Sequence, residues 1–144
     1  MLKIGIHLKS TRTGYSHHGI YIGNNEVIHY SGFSEMFKSG QIEKVTLDEF
    51  SGTTGYETIK HNNIKYSSIE IINRAKSRLG EDAYHLFTNN CEHFVNWCIE
   101  GKQLSEQAFM SKPFDKNKKD EIDFSIREEN RLVAFREQKL KKFF

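Results

Sequence analysis

His18-Gly19-Ile20-Tyr21-Ile22-Gly23-Asn24-Asn25-Glu26-Val27-Ile28-His29-Tyr30 carries the strongest structural signal in the chain. Two runs of β-branched and aromatic residues flank a Gly-Asn-Asn turn, so the stretch predicts a β-hairpin. With His17 just upstream, it gathers three histidines. A three-residue loop, Gly23 to Asn25, sets His29 opposite Gly19 and on the sheet face of His17. A two-residue loop groups His29 with His18 instead. Local turn chemistry admits both.

Working outward, Gln41 to Leu47 reads as a strand and Leu47 to Phe50 as a helical turn, before Gly52 and Gly55 interrupt the pattern. Ser67-Ser68-Ile69-Glu70 offers a capping box, and Ile69, Ile72, Ala75, Lys76 and Leu79 follow helical spacing until Gly80. A second helix is predicted from near Asn90 through Cys91, Phe94, Val95, Trp97 and Cys98 to a terminal glycine, Gly101. The only proline, Pro113, opens a tail rich in Lys, Asp and Glu. The core boundary is therefore placed near residue 112, giving a domain over 1–112 and a charged helical extension over 113–144. On a helical wheel Leu132, Val133, Phe135, Leu140, Phe143 and Phe144 cover one arc, with Arg136, Lys139, Lys141 and Lys142 adding positive charge. That pattern suits peripheral contact of residues 131–144 with an anionic membrane, and equally suits docking on the domain or on a second subunit. The sequence leaves the oligomeric state open.

A chain of 144 residues has the size of one ordinary domain, so one site is expected. A formal net charge of +2 within 28% charged residues, without a basic block interleaved with aromatics, speaks against a nucleic-acid partner. No apolar run approaches the ~20 residues needed to cross a bilayer, and the N-terminal stretch is too short for a signal peptide, so the cytoplasm is the expected compartment. Cys91 and Cys98, if they share one helix, stand roughly 10 Å apart, beyond disulfide reach, and are expected as free thiols. Neither a C-x-x-C nor an H-E-x-x-H spacing occurs, so no metal or cofactor is expected.

Chemistry concentrates on Cys91. A thiol attacks as thiolate, and the N-terminus of a helix favours that anion through its unpaired N–H groups and aligned peptide dipoles. Asn89-Asn90 suits a tight bend and an N-cap there. Against this stands the commoner fate of a free cysteine, a small buried apolar residue, which is how Cys98 reads beside Trp97 and Phe94. His93, two residues after Cys91, points away from it on a helix and reads as a surface or outer-layer residue. A nucleophilic cysteine also requires an imidazole to take its proton and a third polar group to orient that imidazole.

His17-His18-Gly19-Ile20-Tyr21-Ile22-Gly23, Val27-Ile28-His29 and Asn90-Cys91-Glu92-His93-Phe94-Val95-Asn96 together resemble the two boxes of the lecithin:retinol acyltransferase family, the H-box/NC-box proteins, which include the small phospholipase A/acyltransferases. The resemblance covers roughly residues 14 to 101, and Gly80 and Tyr84 resemble the segment leading into the second box. It implies a circularly permuted papain-like (NlpC-type) α+β fold, an antiparallel sheet with packed helices. It further implies Cys91 as nucleophile, His17 as base and His29 as the group that orients it. The implied reaction runs through an acyl-thioester on Cys91, with a lipid or other acyl donor as substrate. This chain departs from the family at His18, where Tyr or Trp is usual, and at Trp97-Cys98-Ile99-Glu100, where many animal members have Leu-Arg-Tyr.

Three function classes follow. Lipid acyl transfer or phospholipase activity is what the resemblance favours. A cysteine peptidase or amidase of permuted papain-like fold would leave a lipid assay blank and turn over a peptide or amide. A non-catalytic binding or regulatory module would keep an ordinary thiol that no reactive probe labels.

Overall fold

The computed structural model describes residues 1–12, 14–31, 40–84, 89–102 and 140. Its elements are β1 (His7–Arg12), β2 (Tyr15–Gly23), β3 (Glu26–Tyr30), β4 (Ile42–Thr46), α1 (Leu47–Ser51), β5 (Glu57–Ile59), α2 (Ser68–Ser77) and α3 (Cys91–Glu100). The strands form an antiparallel sheet in the order β4-β3-β2-β1-β5. The protein is thus α+β. The predicted hairpin, the strand ending at residue 47 and both longer helices are present. Sequence periodicity gave no sign of β1 or β5, which are short and carry the polar stretches Lys9 to Arg12 and Glu57-Thr58.

The hairpin combines features of both loops considered above. Gly23 pairs with Glu26 across a two-residue turn, with Asn24 and Asn25 both left-handed at φ 53° and 58°. Asparagine tolerates that region because its short polar side chain bonds locally. A register shift between Tyr21 and Gly23 then inserts one extra residue in β2, and Gly19 faces His29. A bulge moves every preceding side chain to the opposite face relative to its partner strand. His29 therefore joins the face of His17, and His18 is turned to the other.

Each face carries its own core. On one, Ile20, Ile28, Tyr30 and Ile42 pack against Ile71 and Ala75 of α2 and Phe94, Val95 and Cys98 of α3. On the other, Leu8, Tyr21 and Val27 pack against Phe50 of α1. Gly19 is required where these layers close: a Cβ there would stand 2.6 Å from Val27 and 3.0 Å from Phe50.

The apolar spacing expected for α2 is corrected in part. Ile69 and Leu79 are exposed, while Ile71, Ile72 and Ala75 are buried together with Arg74 and Arg78. A hydrophobic period passes over arginine, yet here the Arg74 guanidinium lies 3.8 Å from the Trp97 ring centroid and 4.2 Å from that of Tyr66. It also donates to the Trp97 carbonyl at 3.0 Å. Planar stacking and a satisfied donor offset the cost of burying that charge.

The boundary placed near residue 112 and the helix expected over 131–144 lie outside the described residues, apart from Leu140. That residue is 5% exposed, within the cluster that holds Cys91 and Phe94. Leu140→Ala is expected to lower the unfolding free energy by about 2–5 kcal/mol in a denaturant titration. An unchanged midpoint would remove Leu140 from the core.

Candidate active site

Asn90 shapes the start of α3. Its side-chain oxygen accepts from the backbone N–H groups of Glu92 at 2.9 Å and His93 at 3.0 Å. His93 Nδ1 in turn accepts from the Asn90 N–H at 3.0 Å, completing a reciprocal cap. His93 is 5% exposed, so the surface reading of it is corrected: the ring faces inward to close the cap. Asn89 anchors the preceding bend. Its amide donates to the Ala83 carbonyl at 2.8 Å, and its oxygen accepts from Arg78 at 3.1 Å. Arg78 is itself paired with Glu81 at 2.8 Å.

Cys91 is the first helical residue and is buried. Its thiol donates to the Ser16 carbonyl at 3.5 Å, so the helix N-terminus meets β2 beside His17. Tyr84 lies close by. Burial pushes its phenol above the ordinary range, and negative charge at Cys91 and then at Tyr15 pushes it further. Cys98 is completely buried, and burial raises its thiol to about 12. It is core packing, as its sequence setting indicated.

His17 and His29 share the other face. Their ring centroids are 5.7 Å apart, and both sit edge-on to Phe50, at 6.3 and 5.9 Å. Glu43 Oε1 lies 3.3 Å from His29 Nε2, while His29 Nδ1 is buried without a hydrogen-bond partner. Burial lowers His17 to about 4, helped by the charges of His29 and Arg12. It likewise lowers His29 to about 4, with Arg12 adding to the effect. The Glu43 carboxylate opposes that shift but is 37% exposed and screened by water, so desolvation wins. Both rings are thus neutral at neutral pH, the state a proton acceptor requires.

The structure brings His17 and His29 together and brings Cys91 to the main chain of β2 at Ser16. Strand alternation sets the His17 ring on the Phe50 face and Cys91 in the cluster on the opposite one. Among the described residues no hydrogen bond joins His17 to Cys91. Glu43 was not legible beforehand, because its place beside His29 depends on the β3–β4 register. Among the described residues no group of three or more His, Cys, Asp or Glu is placed to hold a metal ion, and no helix is long and apolar enough to cross a membrane.

A cysteine capped into the first turn of a helix, following a hairpin with paired histidines, agrees with the wider comparison. The chain belongs to the family described as lecithin retinol acyltransferase, whose profile matches residues 1–104. It is similar to human phospholipase A and acyltransferase 1, 33% identical over 115 residues covering 67% of each chain. Human phospholipase A and acyltransferase 2 is 28% identical over 122 residues, 74% of this chain and 75% of that one. Rat lecithin retinol acyltransferase is 30% identical over 130 residues, 70% of this chain and 55% of the rat protein's length. Such relatives are, by name, acyltransferases and phospholipases.

The histidine shifts make stability depend on pH. His7, lowered to about 2, and His17, His18 and His29, lowered to about 4, all refuse protons in the native state that the unfolded chain accepts near 6.5. Stability is therefore fully present above the unfolded value and is lost as pH falls from about 6.5 toward about 4. Thermal midpoints measured across that window should fall steadily with acidification. A flat profile would contradict buried neutral imidazoles.

Proposed function

We propose that this chain is a thiol-dependent acyltransferase or phospholipase acting on a lipid acyl donor, with Cys91 as nucleophile, His17 as base and His29 as the residue that orients it. The observation that carries the reading is the placement of Cys91 as the first residue of a capped helix, its sulfur against the backbone of β2 next to His17. The enzyme names of the relatives support the same class. The order of elements, histidine hairpin before cysteine helix on an antiparallel sheet, supports a circularly permuted papain-like architecture.

In this mechanism the helix N-terminus stabilises the Cys91 thiolate, and His17, neutral by burial, receives the thiol proton. This transfer requires the His17 ring, which lies on the Phe50 face in this structure, to reach the sulfur in the substrate complex. The thiolate attacks the ester carbonyl, and His17 returns the proton to the departing alkoxide, leaving an acyl-thioester on Cys91. His17 then deprotonates water, a hydroxyl or an amine, which takes the acyl group and restores the thiol. The Cys91 backbone N–H, in the first helical turn, serves as an oxyanion donor, a kind of group whose loss costs ~3 kcal/mol in barrier. His29, with Glu43 behind it, is the polar neighbour assigned to orient His17, its ring centroid 5.7 Å away. We further propose that the reaction takes place at the cytoplasmic surface of membranes.

Cys91→Ser and His17→Ala should each reduce labelling by an acyl-donor probe about 10²-fold or more, while Cys98→Ser should be nearly silent. Mass spectrometry after incubation with mixed phospholipids should find an acyl mass on the Cys91 peptide. Thioester formation that persists in either variant, or turnover of peptides with none of lipids, would reject the assignment.

A further inference from the structure

Position 18 departs from the family pattern, and the structure shows what the change builds. On the α3 face His18 Nδ1 lies 2.7 Å from His7 Nε2, His7 Nδ1 lies 2.8 Å from His61 Nε2, and His61 Nδ1 lies 2.9 Å from Glu100 Oε2. At the other end His18 Nε2 faces Glu92 Oε2 at 3.5 Å. That separation falls within ion-pair range, yet the nitrogen is buried with no hydrogen-bond partner. The row runs alongside α3, from the carboxylate next to Cys91 in its first turn to the carboxylate in its last. His7 and His61 border a cavity of about 460 Å³ walled by Ile4, Ile59, Ile64 and Ile71.

Proton counting gives this row a direction. Four junctions link the three rings to each other and to the two carboxylates, each filled by one proton, and three rings with one N–H apiece fill only three of them. One junction must lack a proton. Three of them have hydrogen-bond lengths and the fourth, at Glu92, does not. The three protons therefore sit on the Nδ1 atoms of His61, His7 and His18, each donating toward Glu100, and His18 Nε2 keeps a bare lone pair.

We propose that His61, His7 and His18 form a buried proton relay with one vacancy, at His18 Nε2, and that filling the vacancy draws Glu92 onto His18. Its link to chemistry rests on the reading of Cys91 as nucleophile. The Glu92 carboxylate, one residue from the thiol, opposes a second negative charge there, and a proton on His18 offsets it. His18, His7 and His61 are positioning residues in this scheme, acting through Glu92. The charges that face the row are Lys9, opposite His18 and paired with Glu57 at 3.8 Å, Lys3 and Lys60 at the cavity, Glu92 and Glu100 on α3, and His17 across the sheet. Burial above all, with Lys9 adding to it, keeps His7 and His18 uncharged at neutral pH, so loading occurs on acidification or transiently.

Nitrogen-15 NMR of the imidazoles in the full chain near neutral pH tests the assignment. The expected result is three Nδ1–H tautomers with an unprotonated His18 Nε2, although free histidine favours the other tautomer; a proton on His18 Nε2 would overturn the proposal. Cys91 alkylation rates against pH, read in Cys98→Ser, should show an extra acid inflection that His7→Phe and His61→Gln both abolish. His61→Gln, at the rim of the cavity, serves if His7→Phe fails to fold, and identical profiles would also overturn it. The NMR result is independent of catalysis, so correct tautomers with no acyl-thioester would sink the nucleophile and spare the relay.

Discussion

The way the chain turns into α3 is the constraint on which the site depends. A helix leaves its first N–H groups without intrahelical partners, and whatever satisfies them decides which residue stands at the terminus. Here Asn90 takes two of them with one oxygen, and His93 closes the cap from inside the helix. Asn89 holds the approach to the bend through Ala83 and Arg78. Two adjacent asparagines thus divide the work of bending and capping, and Cys91 is left as the first helical residue against β2. The same buried network ties α2 to α3, because Arg78 serves Asn89 and Glu81 together.

Strand alternation then separates the histidines into two systems. One residue lies between the direction of His17 and that of His18, so neighbours in sequence act on opposite faces. His17 and His29 sit over Phe50 with Glu43 behind them. His18 joins His7 and His61 along α3. Burial keeps His7, His17, His18 and His29 neutral, since removing an imidazolium from water costs more than the nearby carboxylates return. In the proposed relay the row is short of one proton, at the long His18–Glu92 separation.

Much of this could be read before any fold was known. Alternation and turn residues sufficed for the hairpin, and Ser67, Asn90 and Gly101 marked helix ends because caps and stops are local, whereas α2 stops at Ser77, before the expected Gly80. Cys91 at a helix start and Cys98 in the core followed from position within one helix. Arg74 and Arg78 did not follow, since their burial depends on Trp97 and Tyr66, distant in sequence. Glu43, His7 and His61 were equally invisible, because each gains meaning only from a neighbouring strand.

The sequence by itself determined the helix termini, the cysteine that begins α3 and the two boxes that tie the chain to its family, since those depend on residues a few positions apart. Only the tertiary structure decided which face each histidine takes. A single bulged residue between Tyr21 and Gly23 sets that choice, and its position is fixed by packing of both sheet faces at once. Local turn energies are too similar to select one loop, whereas burying the wrong alternate set of side chains would expose a whole core layer.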